Sequence, residues 1–195
     1  MNPQRISCKF FLHPDPTAPV VLSPFIGMFH RFIQEKTLDG LLLDVADYAH
    51  VPDGPGILLV GHDVDYGLDL AEGRAGLLVV RKRYGELPAA DALRLALASA
   101  LGAITAIEAD GSGDVRFATS AVTVQLLDRL ATPNDDATYE AARSALAPVL
   151  SDLYGEKHEV ARAHADDPRK PLTLTVTANE APAADELAAR LGGAK

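Results

Sequence analysis

The fold class that this sequence predicts is α+β: a two-layer sandwich in which helices cover a mostly antiparallel sheet. Three observations carry that expectation. Short apolar or alternating segments such as LTLTVTA (172–178) are set off by Pro, Gly and Asp clusters, as strands are. Longer segments such as 25–33 and 136–154 repeat apolar residues at helical spacing. Within 41–84, three apolar runs follow one another with no helical segment between them, which favours a meander over a βαβ crossover.

Taken in order, residues 6–12 (ISCKFFL) read as the first strand. A Pro-rich connector over 13–19 leads to a helix opened by Ser23-Pro24, with serine suited to the cap and proline to the first helical position. Phe25, Met28, Phe29, Phe32 and Ile33 then share one face, and core packing explains such a stripe better than a cofactor pocket. Gly40 closes this unit. The meander follows as LLLDVADYAH, ILLVGHDVDY and GLLVVRKRY, punctuated by Pro52-Asp53-Gly54-Pro55-Gly56 and Gly73-Arg74-Ala75-Gly76.

After Pro88 comes an Ala- and Leu-rich helix with Leu93, Leu97, Leu101 and Ile104 on one stripe. Gly102 is a candidate end, which leaves 104–109 as a short strand turning at Asp110-Gly111-Ser112-Gly113. Residues 115–126 read as extended with a break near Ser120-Ala121. A helix over 136–154 follows, capped by Asn134 or Asp135, kinked at Pro148 and stopped by Gly155. Residues 160–164 and 172–178 form a hairpin around Asp166-Asp167-Pro168-Arg169-Lys170, and a last helix spans 183–191.

The order strand, connector, helix, glycine stop, strand, turn, strand occurs over 6–64 and again over 115–178, each time followed by a helix. Residue identity between the two is low, so the likeness is one of element order. It suggests one domain over 1–195 built as a β-α-β-β pseudo-repeat with halves 6–110 and 111–195.

Bulk properties narrow the function classes. A net charge of −9 on 195 residues argues against a nucleic-acid partner, and Arg81-Lys82-Arg83 is the only basic cluster. The apolar runs are far shorter than the ~20 residues of a membrane helix. The amino terminus lacks the apolar region of a secretory signal. A single cysteine, Cys8, excludes an internal disulfide and sits in the first strand, where an inert thiol is expected. These features together predict a cytoplasmic protein with no membrane partner.

Candidate chemistry concentrates in the meander. Pairing its first two strands around Pro52–Gly56 sets Ala46 opposite His62, and puts Asp44, Tyr48, His50, His62 and Tyr66 on one face. His50 or His62 is then a candidate base or ligand, with Asp44 or Asp63 as orienting carboxylate. Tyr48, Tyr66, Arg74 and Phe29 are candidate ligand contacts, Arg74 because a turn-tip guanidinium binds carboxylate or phosphate bidentately. The bland alternative pairs Asp65 with Lys82 across the strands and needs no catalyst. Asp63-x-Asp65-x-Gly67-x-Asp69 opens like a calcium loop, but its glycine is one place early and no closing glutamate follows, so no metal is expected. Dinucleotide, P-loop and serine-elbow motifs are absent, and no cofactor is expected.

The preferred functional expectation is therefore a non-catalytic binding or interaction module, self-associating through the face or rim of 41–84, with a small molecule or another protein as further partners. The alternatives are a small hydrolase or isomerase using the His/Asp group, and a small-molecule sensor with an aromatic pocket from Phe25, Phe29, Phe32 and Tyr48.

Overall fold

The computed structural model describes residues 3–14, 19–51, 54–82 and 85–192. Eight strands form one antiparallel sheet: β1 Ile6–Phe11, β2 Leu42–Tyr48, β3 Gly56–Gly61, β4 Val64–Asp69, β5 Gly76–Arg81, β6 Ala121–Leu126, β7 His158–Ala163 and β8 Leu172–Ala178. Their order across the sheet is β2-β3-β4-β5-β1-β6-β8-β7. Four helices, α1 Ser23–Glu35, α2 Ala89–Asp110, α3 Asp136–Tyr154 and α4 Ala184–Gly192, form the second layer. This is the α+β sandwich that the sequence predicts.

Strand alternation sorts the side chains between the layers. Ile6, Cys8 and Phe10 of β1 are fully buried under the helices, as are Val122, Val124 and Leu126 of β6 and Leu172, Leu174 and Val176 of β8. The Cys8 thiol donates to the Ala96 carbonyl of α2 at 3.5 Å. Burial pushes that thiol up to about 12 from an ordinary 9.0, and it raises the Tyr154 phenol as well. Both groups stay neutral in the folded chain, whereas the unfolded chain ionises them first. Their contribution to stability is therefore whole below about pH 9 and declines toward pH 12. Denaturant midpoints are expected to hold from neutrality to pH 9 and fall above it, and a thiol reagent is expected to label Cys8 only as fast as the protein opens.

α1 buries Phe25, Met28, Phe29 and Phe32 as the stripe requires, with Phe25–Phe29 and Phe29–Phe32 ring centroids 6.3 and 6.1 Å apart. Two details differ from the sequence reading. Leu22, not Ser23, occupies the cap position, and no side chain caps this helix. The helix ends at Glu35 because Lys36 turns left-handed with φ 55°, short of Gly40.

α2 runs through Gly102 without a break, so 104–109 is helix and not strand. The reason is burial. Leu97, Leu101, Ile104 and Ile107 form one continuous core stripe, which outweighs the roughly 1 kcal/mol that a helical glycine costs. The helix stops at Gly111, whose φ of 71° suits glycine. By length and composition α2 is also apolar enough to cross a membrane, contrary to the expectation from uninterrupted runs. Half of its apolar window is buried in the sandwich, as in the core helix of a packed layer.

The meander has four strands, not three. ILLVGHDVDY folds back at His62-Asp63, leaving β3 and β4 as a tight hairpin. Gly61 makes this possible, since a Cβ there would lie 2.2 Å from the Val64 carbonyl oxygen. Asp65 secures the bend by accepting from the Gly61 N–H at 3.1 Å, and Lys82 donates to the Gly61 carbonyl at 2.8 Å. Because β3 ends at Gly61, β2 pairs with Ala46 opposite Leu58, not His62. A register irregularity between Leu42 and Asp44 takes up the residue at Leu43. Pro52 and Asp53 of the predicted loop lie outside the described residues.

α3 has the predicted bounds. Asp135 caps it, accepting from the Thr138 N–H at 2.7 Å, and Pro148 is accommodated within one continuous helix. In the sheet, β5 and then β4 flank β1 on one side, while β8 and then β7 flank β6 on the other. The β4–β5 pair thus takes the place beside β1 that β7–β8 takes beside β6. The β2–β3 hairpin lies beyond, at the free edge.

Candidate functional site

The structure does not bring His50 and His62 together. The His62 N–H donates to the Leu41 carbonyl at 2.8 Å, at the start of β2, whereas His50 follows the end of that strand. The length of β2 between them is about 20 Å at ~3.3 Å per residue. His62 Nδ1 lies 2.8 Å from its neighbour Asp63, and His50 stacks on Tyr48 with centroids 6.5 Å apart. Asp44 accepts from the backbone N–H of Val45 at 2.8 Å, so its carboxylate orients neither imidazole. The predicted grouping fails because it treated the His62-Asp63 bend as strand. Replacing His62 with Ala is expected to change folding stability by less than about 0.5 kcal/mol in a denaturant titration, as for an exposed turn residue.

The predicted ligand contacts also separate. Asp44 and Tyr48 keep a common face of β2, opposite Val60 and Gly56. Tyr66 faces the helices and is 2% exposed. Burial raises its phenol, with the Ser99 hydroxyl and Arg81 acting in the opposite sense. Phe29 is fully buried between Phe25 and Phe32, and Tyr48 is at the sheet edge, so the four rings form no aromatic pocket. Arg74 lies over the Phe11 ring at 3.8 Å, a cation–π contact at the end of β1.

Asp65 and Asp69 of the calcium-like run lie in β4 and serve lysines, while Asp63 lies in the bend before it beside His62. Asp65 meets Lys82 at 2.7 Å and Asp69 meets Lys9 at 2.6 Å. The Asp65–Lys82 pair is the one that cross-strand reasoning predicts, although Asp65 sits opposite Val80 and Lys82 reaches it diagonally. Among the described residues, no three His, Cys, Asp or Glu side chains converge as metal donors.

Two features remain as candidates, and both arise from the way the sheet is laid out. The first is on the face away from the helices. There Lys9 and Asp69, with side chains 11% and 7% exposed, sit in a hollow of about 140 Å³ lined by Ser7, Phe11, Glu72 and Gln125. A row of hydrogen bonds continues it. Ser7 Oγ donates to Gln125 Oε1 at 3.3 Å, and Gln125 Nε2 donates to Thr173 Oγ1 at 3.4 Å. Glu72, left-handed with φ 63°, reaches His164 Nε2 at 3.3 Å, which joins the β4–β5 and β7–β8 connections above this row. Every charge here has its counter-charge, the arrangement of a structural network, not of a reacting pair.

The second is the free edge. β2 ends the sheet, and it and its flanks expose Leu41 (61%), Leu43 (53%), Tyr48 (40%) and Val51 (39%). Outside this segment, the exposed large apolar residues among those described are Val21, Leu95 and Leu130. Asp44 turns its carboxylate back onto the Val45 N–H, and Asp47 onto the Ala49 N–H in the turn after β2, at 2.8 Å each. The sequence marks this run as the first strand of the meander, and the strand order shows that it is the outermost one. Lys9 was missed because it lies inside an otherwise apolar strand. Its period-2 alternation with Ser7 was the available signal.

No protein-family model matches this sequence, and no curated protein does so either.

Proposed function

We propose that the chain is a non-catalytic interaction module that self-associates through the free β2 edge and its flanks. The observation that carries this reading is the run of exposed apolar side chains from Leu41 to Val51 on the one sheet edge that includes them. Exposed apolar area concentrated on one element favours burial against a partner. A two-fold arrangement sets β2 against its own copy, so that each apolar side chain meets an equivalent surface. A stable pair of this kind buries about 800 Å² per partner.

Charge sets the conditions. Each copy brings Asp44 and Asp47 to the segment, so like charges oppose association and salt screens them. Sedimentation equilibrium is expected to show a dimer that tightens as ionic strength rises, and Leu43→Glu is expected to leave a monomer with the melting temperature of the dilute wild-type protein. A wild-type protein that stays monomeric at about 1 mM, where even weak pairs associate, contradicts the proposal.

A further inference from the structure

We propose that the cleft between the carboxyl end of α1 and the flank of α2 binds a small organic monocarboxylate through Arg81. This site is separate from the β2 edge and does not depend on self-association.

The layer geometry makes the cleft. α1 and α2 are tied near the end of α2, where Arg31 Nη2 meets Asp110 at 2.6 Å. Toward the start of α2, the residues after α1 stand away from it and leave a cavity of about 360 Å³ over β4 and β5. That volume falls in the ordinary range for small-molecule sites, roughly 300–1,000 Å³. Leu38 and Leu95 give it apolar walls, and Tyr66, Ser99 and Arg81 give it polar ones.

Arg81 is the recognition group. It is the last residue of β5 and follows the alternation that sends Leu77 and Val79 to the helix side, so a cation is placed between the layers. Its Nη1 donates to Ser99 Oγ at 3.3 Å, a long bond that leaves the guanidinium able to turn. Its Nε–H is buried and has no acceptor among the described residues. No carboxylate among the described residues forms an ion pair with it, in contrast to Arg31, Arg94 and Arg162. A desolvated donor without an acceptor is unfavourable, and a carboxylate on the Nε–Nη2 edge supplies one once the guanidinium turns toward the cleft.

The remaining chemistry narrows the ligand. One guanidinium balances one negative charge, and the Asp39 carboxylate that lines the same cavity leaves no surplus positive charge for a dianion or polyanion. Leu38 and Leu95 call for an apolar body on the acid. Gly102 of α2 also lines the cavity, with no atom within 4 Å of where its Cβ would stand, so a larger side chain there can project into it.

The test is calorimetric titration of the full chain with hexanoate, benzoate and inorganic phosphate. Saturable binding of hexanoate or benzoate is expected, with affinity at least about tenfold lower in Arg81→Gln, as for loss of a bidentate ion pair. Gly102→Leu keeps Arg81 and fills the cavity, so binding is expected to vanish while the melting temperature holds or rises. The inference is overturned if neither carboxylate binds up to about 10 mM, if either variant binds them as tightly as the wild type, or if phosphate binds more tightly than both.

Discussion

Lys9→Met is expected to lower folding stability by about 3–5 kcal/mol, because it strands the Asp69 carboxylate in a buried site. The Lys9 and Asp69 side chains are only 11% and 7% exposed, so solvent screens little of this effect. Lys9 Nζ donates to Asp69 Oδ2 at 2.6 Å and to the Ala71 carbonyl at 3.2 Å, and its removal leaves two acceptors without a partner. The double replacement Lys9→Met with Asp69→Leu removes both charges and is expected to recover most of the loss. A urea double-mutant cycle reads the difference as a coupling energy. A Lys9→Met variant as stable as the wild type would show that the pair is dispensable. That result would remove the main polar tie between β1 and the β4–β5 connection.

Phe29→Ala is expected to cost a similar amount, about 3–5 kcal/mol, for a different reason. Phe29 is fully buried and its ring contacts Phe25 and Phe32 edge-on and tilted, so truncation leaves a cavity under α1. Tyr48→Ala provides the contrast. Tyr48 is 40% exposed at the free edge, and its loss is expected to change stability by less than about 0.5 kcal/mol while weakening self-association. Denaturant midpoints separate the two. A mild Phe29→Ala would point to an aromatic pocket of the kind the sequence suggests, and not to a packed core.

The two-layer architecture was legible because most elements announce their own ends. α3 shows this best: Asp135 caps it, the apolar spacing runs to Leu153 and Gly155 stops it. The β7–β8 hairpin was legible for the same reason, since Asp and Pro residues interrupt two alternating runs. The meander was misread where these signals fell silent. Gly61-His62-Asp63-Val64 lacks an Asn-Gly or Asp-Gly pair, and apolar residues on both sides carry the strand pattern through the bend. Once that turn is missed, the register of β2 shifts and His62 is credited to a face it does not occupy. Gly102 was overweighted for a related reason: one residue's propensity is small beside the burial of the helix that contains it.

The candidate sites were less legible than the fold, because they depend on which strand is last in the sheet and on how loops meet. Nothing local to Leu41 or Leu43 marks β2 as an edge; its exposure follows from the strand order alone. Arg81 likewise reads as part of a basic strand end. Its position between the layers emerges only when α2 and the residues after α1 are set over β5.

Hydrogen–deuterium exchange, compared between dilute and concentrated protein, tests the proposed association most directly. Amides of residues 41–51 should gain protection as concentration rises, with β7 at the opposite edge unchanged. If 41–51 exchange at the same rate at every concentration, or if protection appears at β7 instead, association through β2 is wrong.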